Sequence, residues 1–421
     1  MGIVKIFSVS LIAEGLVILT GFVNSIIITR NLDLPGRGKY ALTMNIITML
    51  SLIFGDGIYR ANTYLLSVDR KKLSVLFSNS IVAITAVGAL LLVGVLLLTE
   101  GLIQTLVPGM NFSLLLVAIS SVIPYLFIRS YSGLFLGLQH YYTYNFFVVA
   151  PLVLYCFFNV GLYFWADFTP MMVMQNYLIS LTVIFIYSTI KMLRVGTLQL
   201  RPDWTVGKET LAIGFRSGAS SIPLYLLFRV DVFLINYFLG IDQAGIYSVA
   251  VILSELLQKF ANTSGTVIFP KISGKEKSKK SRSLSIRVVL FVLSVGLVFG
   301  LFLWFMGEKI IVFLYKDKYL AAADVLYWLL PGTIVMAAGK IFLFSLWGKG
   351  FPRVTVIVPV IAFILNTILN LSLIPKYGMI GSAVSTSISY IFFGVSLALY
   401  FFIAERFEMS GQIEDVQAAE A

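Results

Sequence analysis

The sequence predicts an all-α integral membrane protein, with about twelve transmembrane helices in two pseudo-symmetric six-helix lobes around a central cavity. Apolar residues make up 59% of the 421 residues, and charged residues make up only 12%. Apolar stretches of roughly 20 residues, the length that crosses a bilayer, recur along the chain. The two halves of the sequence also resemble each other weakly. The composition alone excludes a soluble globular protein.

Twelve spans follow from reading this length along the chain, whose mean hydropathy is +0.94. The first span could be mistaken for a signal peptide. It lacks a small-residue cleavage site, and polar residues 31–39 lead directly into another span, so we predict an uncleaved helix. The spans lie near 6–28, 40–66, 76–98, 112–136, 145–165, 171–193, 211–238, 244–268, 288–307, 321–347, 353–374 and 378–403.

The distribution of positive charge predicts the orientation. With the N-terminus inside, 18 of the 31 Lys and Arg residues fall on cytoplasmic segments, seven on external loops and six within spans. This bias places both termini in the cytoplasm. The basic run 271–282 then serves as a topology signal beside anionic lipid headgroups. The formal charge of +11 therefore indicates membrane lipids, and not nucleic acid, as the partner.

A weak internal repeat predicts the domain organisation. A shift of 207 superposes two short external turns, and a shift of 211 places Gly137 on Gly348 and Asn159 on Asn370. Two matches at nearly equal offsets predict a parallel duplication of six helices. The first shift places Ile28, Leu32, Gly38 and Tyr40 on Ile235, Leu239, Gly245 and Tyr247. The predicted parts are an N-terminal lobe (1–194), a cytoplasmic linker (195–210), a C-terminal lobe (211–404) and an acidic cytoplasmic tail (405–421).

Several chemistries are excluded by residue counts. Cys156 is the single cysteine, so intrachain disulfides and multi-cysteine metal sites are excluded. His140 is the single histidine, which excludes histidine metal clusters and argues against a histidine-based catalytic system. The Gly-Lys pairs lack a glycine five residues earlier, so there is no Walker A motif. We predict no metal, no catalytic residue and no cofactor beyond a coupling ion, H⁺ or Na⁺.

Four short sequence motifs occur along the chain, and their residues indicate turns and helix ends. Residues 370–383 read N-x-x-x-I-P-x-Y-G-x-x-G-x-A, in which Pro375 is expected to end one helix and Gly378 to take a positive φ. Gly381, Ser382, Ala383 and Ser385 should let the next helix approach its neighbours closely. The turn 239–248 reads L-G-x-x-x-x-G-x-Y-S. Its first-half counterpart, 32–41, has Asp33 where a glycine is expected. The fourth motif is the helix end at 136–141, with Leu136, Gly137 and Gln139, followed by Asn145.

These motifs on twelve spans resemble the Wzx-type flippases, the polysaccharide branch of the multidrug/oligosaccharidyl-lipid/polysaccharide exporter superfamily. The resemblance implies a transporter rather than an enzyme. It would move an undecaprenyl-pyrophosphate-linked oligosaccharide, an O-antigen or related repeat unit, from the cytoplasmic to the outer leaflet of the bacterial inner membrane. Alternating access coupled to an ion gradient is the implied mechanism. Docking of a polysaccharide polymerase and chain-length machinery stays open.

Charged residues within the spans need a structural or functional explanation, because the free energy of placing each one at bilayer depth is at least ~2.5–3.5 kcal/mol. Asp56 and Arg60, like Glu255 and Lys259, are four residues apart and can neutralise each other on one helix face. Arg229 and Asp231 point away from each other, so their partners must lie on other helices.

Unpaired cations are the candidate substrate-binding residues. Arg129, Arg229 and Lys340 have no acid at i±3 or i±4, and a pyrophosphate needs cations that can hold its oxygens. The alternative is an interhelical ion pair or, for Arg129 and Lys340, snorkelling to the interface. The predicted substrate-binding set is Arg229, Arg129, Lys340, Arg60, Arg216 and Lys259.

Membrane carboxylates are the candidate ion-coupling residues. Glu14 is the single acid of the first span and has no basic residue at i±3 or i±4. Its alternative role is to neutralise an arginine across the cavity. The predicted ion-coupling set is Glu14, Asp56, Asp231 and Glu255.

Two other functions remain as alternatives. A cation-coupled multidrug antiporter of the same superfamily would share the architecture but should favour an acidic cavity. The spans hold six Lys or Arg against five Asp or Glu, counting Asp324 near a span's outer edge. A membrane polysaccharide polymerase would need a sizeable aqueous catalytic surface, and the predicted external loops reach only about 13 residues.

Overall fold

The computed structural model describes residues 3–165, 167–195, 199–272, 279–348 and 352–420. Side chains are described in these ranges except at 3–8, 11, 165, 216, 217, 219, 220, 266–272, 279–281 and 405–420. Arg216, most of the basic run 271–282 and the acidic tail are therefore predictions outside the described side chains.

The described chain is helical and contains no strand, which confirms the all-α prediction. A π-helical turn at Leu52–Asp56 joins α2 to α3, and short 3₁₀ turns lie at Arg70–Lys72 and Asp317–Tyr319. The helices are α1 (Ile3–Asn31), α2 (Leu34–Ser51), α3 (Gly57–Val68), α4 (Leu73–Leu96), α5 (Glu100–Leu106), α6 (Phe112–Gly137), α7 (Tyr141–Trp165), α8 (Pro170–Leu193), α9 (Trp204–Leu239), α10 (Ile241–Ile272), α11 (Lys279–Tyr315), α12 (Ala322–Gly348) and α13 (Val354–Glu420).

Eleven helical segments of the described chain are long and apolar enough to cross a membrane. Ten of them match the first ten predicted spans. The eleventh, Val354–Ala404, is 51 residues long and contains both of the last two predicted spans. The difference in number therefore arises at one turn and not from a missing crossing.

That turn is a sharp reversal within α13. The helix continues through Pro375, contrary to the prediction that it ends there, because α-helical geometry breaks at Gly378 (φ 59°, ψ −142°). A positive φ of this size suits glycine, as predicted. The Ser382 hydroxyl donates to the Asn370 side-chain oxygen over 2.7 Å. Twelve residues of straight helix would separate such groups by about 18 Å, so the two arms of α13 run back along each other.

The chain forms two compact units. The first comprises 1–225 with 239–246, and the second comprises 226–238 with 247–421. The second unit is dominated by α12 lying against the arms of α13, where a Cβ added to Gly339 would lie 2.5 Å from the Cα of Gly394. Small residues at this crossing let the two backbones approach closely, as is common between helices in lipid.

The repeated turns of the sequence contact each other within the first unit. A Cβ added to Gly38 would overlap the carbonyl oxygen of Ile241, and one added to Gly245 would lie 2.6 Å from the carbonyl oxygen of Leu34. The shift of 207 carries Leu34 onto Ile241 and Gly38 onto Gly245. The two contacts are thus reciprocal under that shift.

The start of α9 is attached to α4 by side chain–backbone hydrogen bonds. The Asn79 amide donates to the Asp203 carbonyl (2.8 Å) and accepts from the Asp203 N–H (3.0 Å). The Ser78 hydroxyl accepts from the Arg201 N–H at 2.9 Å. The Asp203 carboxylate caps α9, accepting from the N–H groups of Thr205 (2.7 Å) and Val206 (3.2 Å). These bonds fix the end of the predicted inter-lobe linker on the first unit.

Candidate functional site: two intramembrane charge clusters

The first charge cluster lies where the π-helical turn enters α3. Asp56 ends this turn and is 6% exposed. Glycines on both sides allow the neighbouring helices to pack closely. A Cβ on Gly55 would lie 2.6 Å from Leu126, and one on Gly57 would lie 3.0 Å from the Cα of Gly214. A π-helical turn shifts the side chains that follow it and often marks a functional position.

Two arginines share the single Asp56 carboxylate. Arg60 Nε donates to Oδ2 at 2.7 Å, and Arg129 Nη2 donates to Oδ1 at 3.2 Å. The predicted Asp56–Arg60 pair is therefore present, and Arg129 of α6 joins it. Arg129 also lies over the Tyr59 ring, 3.7 Å from its centroid, and Arg60 donates to the Ser221 hydroxyl at 3.2 Å. Two guanidinium groups against one carboxylate leave a net charge of +1.

A small cavity opens beside this cluster. Its volume is about 90 Å³, and its lining is Thr48, Ser51, Leu52, Asp56, Tyr125, Arg129 and Tyr225. Within the described structure, the buried Ser51 hydroxyl has no hydrogen-bond partner. The Arg60 and Arg129 side chains are 40% and 31% exposed, whereas the Asp56 side chain is only 9% exposed. The acid is thus enclosed while both guanidinium groups can reach an added anion.

The second charge cluster contains a one-to-one ion pair. Arg229 of α9 donates from Nη1 to Glu255 Oε1 at 2.6 Å and from Nη2 to Oε2 at 3.2 Å. This contradicts the predicted Glu255–Lys259 pairing. The planar guanidinium fork matches the carboxylate with two parallel hydrogen bonds, which the Lys259 ammonium could not make. The prediction that Arg229 has its partner on another helix is confirmed.

Asp231 also has its partner on another helix, as predicted. The Tyr247 hydroxyl donates to Asp231 Oδ2 at 2.7 Å, and the Val232 N–H donates to Oδ1 at 2.8 Å. Asp231 is 1% exposed. Tyr247 is the tyrosine of the turn motif at 239–248, so part of that motif supports a buried carboxylate.

Lys340 is the buried cation of the second unit. It is 5% exposed, so snorkelling to the interface is contradicted. Its Nζ lies 4.6 Å from the centroid of the Phe228 ring. Within the described ranges, no carboxylate lies within ion-pair distance of this ammonium group. A desolvated cation held by an aromatic face alone can accept an anionic partner.

The other residues predicted to bind substrate or to couple ions form no part of the ion pairs in the two charge clusters. Glu14 is exposed on α1 and Lys259 is partly buried on α10, and neither forms an ion pair with any side chain that the structure describes. The side chain of Arg216 lies outside the described residues. No group of three His, Cys, Asp or Glu residues that could hold a metal ion occurs within the described part of the chain.

Sequence reasoning missed one buried arginine. Arg37 was counted with the external loops, yet it lies in the first turn of α2 and is 2% exposed. Its Nε and Nη1 have no hydrogen-bond partner within the described structure, and its guanidinium carbon lies 4.9 Å from the Tyr40 ring centroid. Only the fold reveals this burial, because its neighbours in sequence are glycines and a lysine typical of a loop.

Comparison with known proteins adds a family and a fold. The profile of the family described as "Polysaccharide biosynthesis protein" matches residues 3–276. The chain is 30% identical over 169 residues to an uncharacterized membrane protein of Methanocaldococcus jannaschii (39% of this chain, 33% of the relative). It is 26% identical over 226 residues to the probable low-salt glycan biosynthesis flippase Agl15 of Haloferax volcanii (52% and 47%). The chain spans between a third and half the length of these curated relatives.

Two solved structures share the fold. The lipid II flippase MurJ in an inward closed conformation matches with a TM-score of 0.76 at 16% identity, covering 94% of this chain and 87% of that one. An inward-facing multidrug resistance MATE family transporter matches with a TM-score of 0.76 at 12% identity, covering 97% and 99%. At these identities the matches establish the architecture alone.

Proposed function

Because this chain belongs to the polysaccharide biosynthesis protein family, we propose that it is a flippase that carries a lipid-linked oligosaccharide across the membrane. The observation that carries this proposal is the Asp56–Arg60–Arg129 cluster beside its small cavity, where two arginines share one acid. A surplus guanidinium that solvent can reach suits a phosphate group, which it can bind with two parallel hydrogen bonds. A glycan polymerase, unlike a flippase, would need a catalytic surface.

The proposed substrate is an undecaprenyl-pyrophosphate-linked oligosaccharide, such as an O-antigen repeat unit. The pyrophosphate is the part of that molecule that most needs cations. Arg60 and Arg129 are the proposed contacts in the first unit. Arg229 and Lys340 are proposed contacts in the second unit, with Arg216 and Lys259 as further candidates. The curated flippase relative is named for glycan biosynthesis, which supports a glycan cargo of this chemical type.

The test is substitution of Arg129 with transport measured directly. Arg129→Ala should reduce flipping of a fluorescent lipid-linked oligosaccharide in proteoliposomes about ten- to a hundred-fold, because a charge-assisted phosphate contact is worth ~1.5–3 kcal/mol. Arg129→Lys should recover part of the rate. Arg194→Ala, at an exposed arginine that ends α8, is the matched control and should transport normally. Normal transport by Arg129→Ala at normal abundance would contradict the assignment.

An ion gradient is the proposed energy source, with H⁺ or Na⁺ as the coupling ion. Asp56 and Glu255 are held by arginines and Asp231 by Tyr247, which leaves Glu14 as the first candidate to exchange a proton. Glu14→Gln should bind substrate yet lose its response to an imposed pH gradient, while Glu14→Asp keeps part of it. Gradient-dependent transport by a stable Glu14→Gln protein would move the role to the other three acids.

A drug antiporter is the second candidate, because the fold match to the MATE transporter is as high as that to MurJ. The cation surplus of the first cluster disfavours a cationic drug. Expression of the chain in a drug-sensitive strain decides between the two. Raised drug resistance that persists in Arg129→Ala would favour the antiporter.

The proposed setting is the bacterial inner membrane with both termini in the cytoplasm, lobes at 1–194 and 211–404, and transport by alternating access. In a Cys156→Ser background, cysteines at Ser113 and Asp242, both exposed, should react with an impermeant thiol reagent in intact cells. A cysteine at Ser278 should react only after permeabilisation. Crosslinking in cells would test whether a polysaccharide polymerase and chain-length machinery dock on the chain.

A further inference from the structure

A groove between α3, α4 and the start of α9 lies outside both charge clusters. Its volume is about 260 Å³. Val82, Trp204 and Leu211 are 57%, 70% and 61% exposed, so the groove is open to the surroundings of the first unit. Its lining is mostly apolar and consists of Ile58, Asn79, Ser80, Val82, Ala83, Ala86, Trp204, Gly207, Thr210 and Leu211.

The groove lies on the side of α3 that faces away from the first charge cluster. Ile58 is two residues from Asp56 and from Arg60, which places it about 200° around the helix from both. A lipid whose phosphate sits on Arg60 could not continue into this groove without passing around α3. The groove therefore fits a lipid of the surrounding leaflet better than the transported one.

The mouth of the groove is rich in cations, most of which form no ion pair with residues that the structure describes. Lys72 is engaged by Glu209 at 3.0 Å, and Lys208 Nζ lies 5.8 Å from the Trp204 ring centroid. The nearby acids are engaged: Asp69 accepts from the Lys71 N–H at 2.9 Å, and Asp203 caps α9. The exposed cations that form no ion pair with any described residue are Arg70, Lys71, Arg201 and Lys208.

We propose that this groove binds one hydrocarbon chain of an anionic phospholipid, whose phosphate is held at the mouth by Lys208, Arg201, Arg70 and Lys71. The apolar walls match a hydrocarbon chain, and the exposed indole of Trp204 is of the kind that lies at headgroup level. Basic residues beside a membrane surface attract anionic headgroups. The bound lipid would hold the start of α9 on α4, beside the hydrogen bonds of Ser78 and Asn79. This proposal does not depend on the transport function.

The test measures lipid retention by the full-length protein with native mass spectrometry. The detergent-purified chain is incubated with phosphatidylglycerol, phosphatidylcholine or a polyprenyl phosphate. The wild type should retain phosphatidylglycerol preferentially. Lys208→Gln should weaken that retention about fivefold, the effect of one cation near a lipid surface. Ala83→Phe, which fills the groove, should reduce retention at least tenfold, because several buried CH₂ groups are lost.

The controls separate groove filling from general damage. Ala89→Phe places the same ring on an exposed position of α4 that does not line the groove, and it should retain lipid normally. Ala86→Phe blocks the groove from its exposed edge and should repeat the loss if Ala83→Phe folds poorly. Equal retention by the Ala86→Phe and Ala89→Phe proteins, or equal binding of both phospholipids by the wild type, would overturn the proposal. Displacement of phosphatidylglycerol by polyprenyl phosphate would also overturn it, by assigning the groove to the transported lipid.

Discussion

The two charge clusters balance their acids in different ways. In the first unit, Arg60 and Arg129 divide the oxygens of Asp56. In the second unit, Arg229 takes both oxygens of Glu255, and the buried Lys340 forms no ion pair with any residue that the structure describes. When two arginines share one carboxylate, some of their N–H groups stay available to a ligand. In a one-to-one pair, the guanidinium uses two of its N–H groups to bind the carboxylate within the protein. The comparison ranks Arg60 and Arg129 ahead of Arg229 as proposed substrate contacts, because the Arg229–Glu255 pair also supports the fold.

The largest expected effect is on stability in the second unit. Arg229→Ala should lower the free energy of unfolding by about 2 kcal/mol. That is below the usual 3–5 kcal/mol for a broken buried pair, because the two side chains are 24% and 21% exposed. The double variant Arg229→Ala/Glu255→Gln should recover most of the loss, since no unpaired charge remains. Thermal unfolding in detergent measures both. If the single variant is stable but does not flip substrate, the two clusters are alike and Arg229 is a binding residue.

Tyr247→Phe should have a slightly smaller effect on stability. It removes the hydroxyl that donates to Asp231 and leaves a buried carboxylate oxygen without that hydrogen bond, a loss of about 1–2 kcal/mol. Tyr237→Phe changes an exposed tyrosine near the end of α9 and should leave the unfolding temperature unchanged. Equal unfolding temperatures for these two variants would mean that Asp231 does not need the tyrosine.

Lys340→Met tests whether the buried Lys340 cation of the second unit is kept for function. A methionine of similar length replaces a desolvated ammonium group, so we expect stability to rise by about 1 kcal/mol. Flipping should fall if Lys340 contacts the substrate phosphate. Parallel unfolding and transport measurements are needed. A large loss of stability would instead indicate that the cation–π contact with Phe228 is a main support of this unit.

The smallest effect on stability is expected at Asp203, an exposed carboxylate that serves as a reference for the acids within the spans. Hydrogen bonds from the N–H groups of Val206 and Thr205 lower the pKa of this exposed carboxyl. Its stabilising contribution is therefore complete above its unfolded pKa of ~3.9 and is lost as the pH falls through the lower folded value. Asp203→Ala should unfold at a slightly lower temperature at pH 7, and the difference should shrink below about pH 4. A pH-independent difference would contradict this origin.

The crossings were predictable because a bilayer imposes one length on every span. Ten predicted spans and the reversal at Gly378 follow from apolar length and turn chemistry. Charge pairing was predictable only where both partners lie on one helix. The Asp56–Arg60 prediction is confirmed, but the same rule failed for Lys259, because a guanidinium from α9 reaches Glu255. No local spacing links Arg129 with Asp56, which lie 73 positions apart. Burial of Arg37 likewise required the fold.

The reversal at Gly378 has a consequence for how the chain enters the bilayer. The segment Val354–Ala404 presents 51 residues to the insertion machinery, and Lys376, next to the tip, is the single charged residue among them. Because the two arms lie antiparallel, that tip must be carried across while both ends stay on one side. Moving one lysine through the centre costs about 2.5–3.5 kcal/mol, which the many apolar residues of the arms can offset at roughly 0.3–0.6 kcal/mol each. The hairpin can therefore insert as a preformed pair.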